Sequence, residues 1–305
     1  MVILTQDLAG FGNNMLMTAN FLSNAAEHDY ALAIPVLGRY AGVFESTSGK
    51  DECLFGKMTV RLRPDRPITK LFFRGLRLPM GGKVLRRLPW LQRLMGVRIV
   101  GDLNAGFIDL NSAGYLALAQ NPRHLLVHEG WLYRDNRNFS KYAEQIRQFF
   151  RPIKAHRQAV ARVLAANRAH ADVLIGVHIR RGDYATWCNG AYFYGHATYA
   201  RAMGELHALF PTEVRVQFLL FSNEPIPTAD FAEFDTGYST NHPVEDLYTM
   251  AGCDYILGAP STYSTWASFY GRVPLCHLHH ADQSITSLAE FVVFEDQHNW
   301  QAVMA

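Results

Sequence analysis

The segment Val177-His178-Ile179-Arg180-Arg181-Gly182-Asp183-Tyr184 sets an imidazole, two adjacent guanidiniums and a carboxylate directly after a run rich in β-branched residues, Val173–Ile179. If that run is a strand of an open α/β sheet, His178, Arg180 and Arg181 lie at or just beyond its carboxyl end, where such sheets bind ligands. Two neighbouring guanidiniums carry charge that is costly to bury unpaired. A diphosphate would satisfy them, because the planar forks match phosphate oxygens bidentately and neutralise charge developing on a leaving group. The alternative is that Arg180 pairs with Asp183 or with an acid elsewhere and merely fixes a loop.

Three further groups have types suited to a nucleotide-like anion. Gly10-Phe11-Gly12-Asn13 follows the apolar start of the chain, and a glycine turn there lets backbone approach a ligand while the next helix N-terminus favours an anion. A tight strand–helix connection explains the same glycines. Ser261, Thr262, Ser264 and Thr265 cluster ahead of Trp266, where hydroxyls and backbone N–H groups would hold a phosphate or simply cap a helix. Asp246 falls in or near a helical first turn, a place where the helix dipole alone accounts for an acid.

Positioning these groups requires alternating strands and helices. Residues 1–4 read as a buried strand, the glycines at 10 and 12 break the pattern, and a helix is predicted from Met15 to about Glu27. Strands are predicted over 31–36 and 124–131, and helices over 140–151 and 154–171. The second half alternates more clearly: strands over 173–179, 214–221, 254–258 and 274–277, and helices over 199–210, 242–252 and 264–270. That alternation predicts parallel sheets covered on both faces, an α/β fold in two halves. We place the division at 1–155 and 156–305.

With 305 residues, 49% of them apolar and 18% charged, the chain can build a substantial core and is not a disordered sequence. The formal net charge is only +2, but residues 61–98 hold eleven basic side chains against Asp65, so that stretch is +10 and the remainder is −8. Cys53, Cys188, Cys253 and Cys276 have no metal-binding spacing and form no disulfide framework, which reads as reduced thiols in a cytoplasmic protein. No signal-peptide pattern and no stretch of membrane-spanning length is visible, so any contact with a membrane is expected at its surface.

The string HxRRGDY resembles the signature of the α-1,2-fucosyltransferases of glycosyltransferase family 11. Other stretches resemble the family in the same order: Gly10-Phe11-Gly12-Asn13-Asn14, then Phe221-Ser222-Asn223-Glu224, then Val244-Glu245-Asp246-Leu247-Tyr248 through Cys253-Asp254 to Pro260-Ser261-Thr262-Tyr263-Ser264-Thr265-Trp266-Ala267. The resemblance spans roughly residues 5–275. It implies a GT-B fold of two Rossmann-like α/β domains facing a cleft. The N-terminal domain, 1–155, would serve the acceptor and carry the basic insertion 61–98; the C-terminal domain, 156–305, would bind the GDP-sugar. It further implies inverting transfer of fucose from GDP-β-L-fucose to a glycan hydroxyl, α-1,2 to galactose, with no metal and no cofactor. The absence of a DxD tripeptide agrees with this.

In that frame Arg180 and Arg181 stabilise the departing diphosphate, while Asp183 either takes the acceptor proton or orients Arg180. His178, Gly12, Asn13, Ser222, Asn223, Asp246, Ser261, Thr262 and Ser264 become donor-binding candidates, with Asp246 reading the guanine edge. Glu129 and Trp131 are acceptor-side candidates, and Glu129 is a second candidate base. The sequence departs from the family around Trp131, and nothing over 45–105 matches it. The partners expected are GDP-fucose and an oligosaccharide or lipid-linked glycan. The 61–98 segment, with Phe72 and Phe73 among its charges, is expected to meet an anionic acceptor or the inner membrane face, and no nucleic acid is expected. Two competing readings are the same fold with another nucleotide sugar, and a basic nucleic-acid- or membrane-binding protein on a degenerate transferase fold.

Overall fold

A computed structural model describes residues 1–4, 10–62, 90, 96–101, 108–128, 132–238 and 242–295. The chain forms two compact units, Met1–Ile153 and Lys154–Ala305.

In the first unit, β1 (Val2–Leu4) is buried at every position, as a strand covered on both faces must be. Helix α1 (Phe11–His28) starts four residues before the predicted Met15, because Gly10 in extended conformation serves as its N-cap. Gly12 and Asn13 therefore sit in the first helical turn rather than in a glycine loop. The strand predicted over 31–36 shrinks to β2 (Leu32–Ala33), since Pro35 opens a 3₁₀ turn and offers no N–H to a ladder. A hairpin that the sequence reading passed over follows, β3 (Glu52–Phe55) and β4 (Met58–Arg61). Next come β5 (Val97–Val100), β6 (Ile108–Asp109), α2 (Ala113–Ala119), β7 (Leu125–His128), β8 (Tyr133–Arg134) and α3 (Ala143–Phe149). Among the described residues the main sheet runs β3-β4-β2-β1-β7-β5, parallel except for the hairpin, and β6 pairs with β8. Asp135, fully buried after β8, accepts from Asn24, Asn111 and Asn138 and so fastens that strand to α1.

The second unit begins with α4 (Lys154–Arg168) and continues β9 (Val173–Ile179), α5 (His196–His207), β10 (Val216–Ser222), β11 (Thr236–Tyr238), α6 (Pro243–Met250), β12 (Tyr255–Gly258), α7 (Thr262–Gly271) and β13 (Leu275–His277). Among the described residues these strands pair in parallel in the order β11-β10-β9-β12-β13, and a single antiparallel bridge joins Leu275 to Val292. The order reverses direction between β9 and β12, the topological switch point at which open α/β sheets bind ligands. Val177, Ile179, Phe218 and Leu220 pack with Tyr199, Met203 and Leu206 of α5 into one core. Each such side chain gains ~1.5–3 kcal/mol by leaving water. A Cβ on Gly258 would lie 2.7 Å from the His178 carbonyl oxygen, so this glycine permits the close approach of β12 to β9 at their carboxyl ends.

All four cysteines are thiols, with only Cys188 exposed. Burial pushes the Cys53 thiol up to about 11 and Cys276 up to about 12, which leaves both unreactive at neutral pH. Among the described residues no helix is long and apolar enough to cross a membrane. Most of the basic stretch 61–98 lies outside the described residues.

Candidate functional site

The seven residues of β9 lead through the two arginines into a sharp turn at Gly182. Gly182 adopts φ +62°, a left-handed conformation that suits glycine, and a Cβ there would meet the Asn223 Nδ2 at 2.7 Å. The backbone N–H of Arg181 donates to Asn223 Oδ1 at 2.9 Å, and its guanidinium donates to the Tyr194 carbonyl at 3.0 Å. Glu224 lies 3.4 Å from the same guanidinium, which sits 4.2 Å from the centre of the Phe193 ring. Arg181 is thus held on several sides and braces the end of β9 against the end of β10. Ser222 and Asn223 take part in this brace, Ser222 by accepting from the Glu224 N–H at 3.1 Å.

Arg180 is held differently. Its guanidinium pairs with Asp183 at 2.6 Å and lies 5.0 Å from the centre of the Tyr184 ring. The Arg180 side chain is 26% exposed and that of Asp183 64%. This pair is one of the two arrangements the sequence leaves open for Asp183. A carboxylate so accessible to water gains little from the pairing.

Around Arg180, the loop after β12 and the start of α7 close in. Tyr184 donates its hydroxyl to the Pro260 carbonyl at 2.6 Å. Ser261 caps α7 by accepting from the Tyr263 N–H at 3.2 Å, which is the capping role its type suggests. Thr262 opens the helix, and Thr265 donates to the Ser261 carbonyl. Ser264 is fully buried, with its Oγ 3.1 Å from His277 Nε2. Asp246 is buried in the first turn of α6, and its charge is felt by Tyr263, whose hydroxyl donates to the Pro243 carbonyl and ties α7 to α6.

His178 is buried rather than open to solvent, its ring 5.2 Å from that of Tyr263. Burial, with a smaller contribution from the Arg180 charge, lowers its pKa to about 3, and burial does the same to His277. Both are neutral at physiological pH and add no positive charge to the site.

The structure therefore gathers His178, Arg180, Arg181, Asp183, Ser222, Asn223, Asp246, Ser261, Thr262 and Ser264 around the carboxyl ends of β9, β10 and β12 and the starts of α6 and α7. Gly12 and Asn13 belong to the other unit. Glu129 and Trp131 lie outside the described residues. Sequence reasoning missed Tyr263, Tyr194 and His277. Tyr263 stands inside the serine–threonine cluster and was within reach of the same argument. His277 follows its partner by thirteen residues and an intervening turn, and nothing local marks it.

Residues 109–277 match the family described as Glycosyl transferase family 11. A comparison with curated protein sequences finds no match. Among solved structures the chain is similar to a mutant of Arabidopsis thaliana FUT1 in complex with GDP, at 16% identity and TM-score 0.60, covering 95% of this chain and 73% of that one. It is similar to NodZ, a fucosyltransferase from Bradyrhizobium; an α-1,6-fucosyltransferase NodZ structure soaked with GDP-fucose aligns at 15% identity and TM-score 0.54, covering 91% and 94%. POFUT1 in complex with GDP aligns at 11% identity and TM-score 0.53, covering 91% and 98%. These likenesses show the fold, a mixed α/β architecture of GT-B type with parallel sheets.

Proposed function

The chain belongs to glycosyl transferase family 11, and from that membership we propose that it transfers fucose from GDP-β-L-fucose to a glycan hydroxyl with inversion, α-1,2 to galactose. The observation that carries the reading is Arg180: a guanidinium at the sheet's switch point, beside the N-terminus of α7, held by an exposed carboxylate and an aromatic face. The GDP and GDP-fucose named for the similar fucosyltransferases support the same donor.

In this reading the donor diphosphate displaces Asp183 from Arg180. The guanidinium and the first-turn N–H groups of α7 then hold phosphate oxygens. Asp246 accepts from the N1–H and exocyclic amine of guanine, which selects GDP over UDP or CDP. The acceptor oxygen forms its bond to the anomeric carbon as the bond to the β-phosphate oxygen breaks, and GDP leaves with that electron pair. Asp183, freed from Arg180, takes the hydroxyl proton. Arg180 supplies the charge that a divalent cation supplies in other sugar transferases. Turnover in a chelator-treated sample well below the unfolding temperature is therefore expected to be unchanged. The acceptor is an oligosaccharide or lipid-linked glycan, met through the first unit and the basic 61–98 segment.

A donor screen with the purified chain tests this. Release of the nucleoside diphosphate from GDP-fucose, faster than GDP release from GDP-mannose and than UDP release from UDP-sugars, supports it. Equal affinity for GDP and UDP by calorimetry would replace it with transfer from another nucleotide sugar.

A further inference from the structure

Where α4 and α6 pack together, two imidazoles and a carboxylate converge. His156 is in the first turn of α4, His242 is the N-cap of α6, and Glu245 lies in the first turn of α6. His156 Nδ1 is 3.0 Å from Glu245 Oε1, the His156 and His242 rings are 4.9 Å apart, and one ligand atom from each residue lies within 4.8 Å of the other two. We propose that these three side chains form a Zn²⁺ site that clamps the start of α6 to α4.

The donor set selects the metal. Two imidazoles with one carboxylate suit a borderline ion such as Zn²⁺, whereas Ca²⁺ and Mg²⁺ take oxygen ligands. Tetrahedral coordination at 2.0–2.1 Å puts ligand atoms roughly 3.4 Å apart, so modest rotations of the exposed His242 ring and of the Glu245 carboxylate complete the set. Three protein ligands leave a fourth position for water.

Burial is graded in the sense an ion needs. His156 and Glu245 side chains are each 18% exposed, which shields the site, while His242 is exposed and leaves a path in. An ion pair needs only His156 and Glu245; the third group, brought in from the cap position, is what makes the arrangement a chelate. The positive ends of both helices oppose a cation here, but a partial charge is small beside two Zn–N bonds and a carboxylate. The clamp fixes the helix that carries Asp246 without using Asp246, and it stands whatever the sugar donor proves to be.

The test uses the full chain, stripped with chelator and titrated with Zn²⁺ alone, with Co²⁺ as the spectroscopic probe. One Zn²⁺ per chain, visible bands of four-coordinate Co²⁺, and a Tm raised by roughly 5–10 °C at a hundredfold excess over Kd are expected. His242→Ala removes an exposed side chain whose Nδ1 also caps α6 by accepting from the Glu245 N–H at 3.4 Å, so its Tm is compared with and without Zn²⁺ in the same variant; it and Glu245→Gln should each weaken Zn²⁺ binding at least tenfold and abolish the Tm shift. His279→Ala, which removes a histidine of the 277–280 stretch, should change neither. Failure to bind Zn²⁺, or binding unaltered in His242→Ala and Glu245→Gln, or binding lost in His279→Ala, overturns the proposal.

Discussion

Arg180 and Asp183 form a 2.6 Å ion pair across the left-handed Gly182 turn, while the neighbouring Arg181 turns the other way, to Glu224 and the Tyr194 carbonyl. Two adjacent residues of one type therefore do different work. Arg180→Ala should lower kcat/KM by about 10²–10³, the scale for losing one group that stabilises developing charge, with Tm nearly unchanged. Arg181→Ala should destabilise by about 2 kcal/mol, because a charged hydrogen bond, a cation–π contact and a partly exposed ion pair go together. Thermal unfolding and steady-state rates on both variants separate the roles. Equal losses of stability would contradict the division, and full turnover in Arg180→Ala would sink the assignment of this site.

Asp183→Asn removes a base and also relieves Arg180 of its partner. The expected outcome is a fall in kcat of about 10²–10⁴ together with GDP binding as tight as, or tighter than, that of the parent chain. Single-turnover rates and calorimetry with GDP read the two effects independently. A fall in GDP affinity would mean that Asp183 only orients Arg180.

Asp246 is buried in a first turn, and the proposed reading has its carboxylate accept from guanine there. Asp246→Asn should weaken GDP by about 10–100-fold, the scale for losing charge-assisted hydrogen bonds, and leave the much weaker binding of UDP as it was. Equal weakening of both nucleotides would show that the acid only caps its helix.

The buried histidines give a pH signature. His128, His178 and His277 are held neutral by burial, each with its pKa lowered to about 3. In the unfolded chain they take up protons near pH 6.5. The unfolded state thus binds more protons below that pH, so their contribution is fully present above about 6.5 and is lost as pH falls towards 3. At pH 5 each should have cost roughly 2 kcal/mol. Urea unfolding at pH 8, 6.5 and 5 should show the midpoint steady over the first interval and falling over the second. A midpoint that stays flat down to pH 5 would contradict the burial of these imidazoles.

Much of the molecule is legible in its residues taken in order. The apolar β-branched runs that form β9, β10 and β12 carry their strand signal locally, because a covered parallel strand is apolar at successive positions. The α/β class is likewise a property of neighbouring residues. The hairpin of β3 and β4 was missed although its alternation and Gly56 turn are visible, since the surrounding residues matched no known pattern. The start of α1 was misplaced because glycines read as a break when one of them is a cap.

Sequence alone thus determined which residues stand at strand ends and what chemistry their types allow. It could not decide that Arg181 pairs with Glu224 and the Tyr194 carbonyl while Arg180 pairs with Asp183, nor that His277 meets Ser264, nor that His156 meets Glu245 from 89 residues away. Those facts depend on the order β11-β10-β9-β12-β13 and on how α4, α6 and α7 pack. Strand order and helix packing are fixed by the burial of whole faces against one another, a free energy summed over the core and carried by no single stretch of residues.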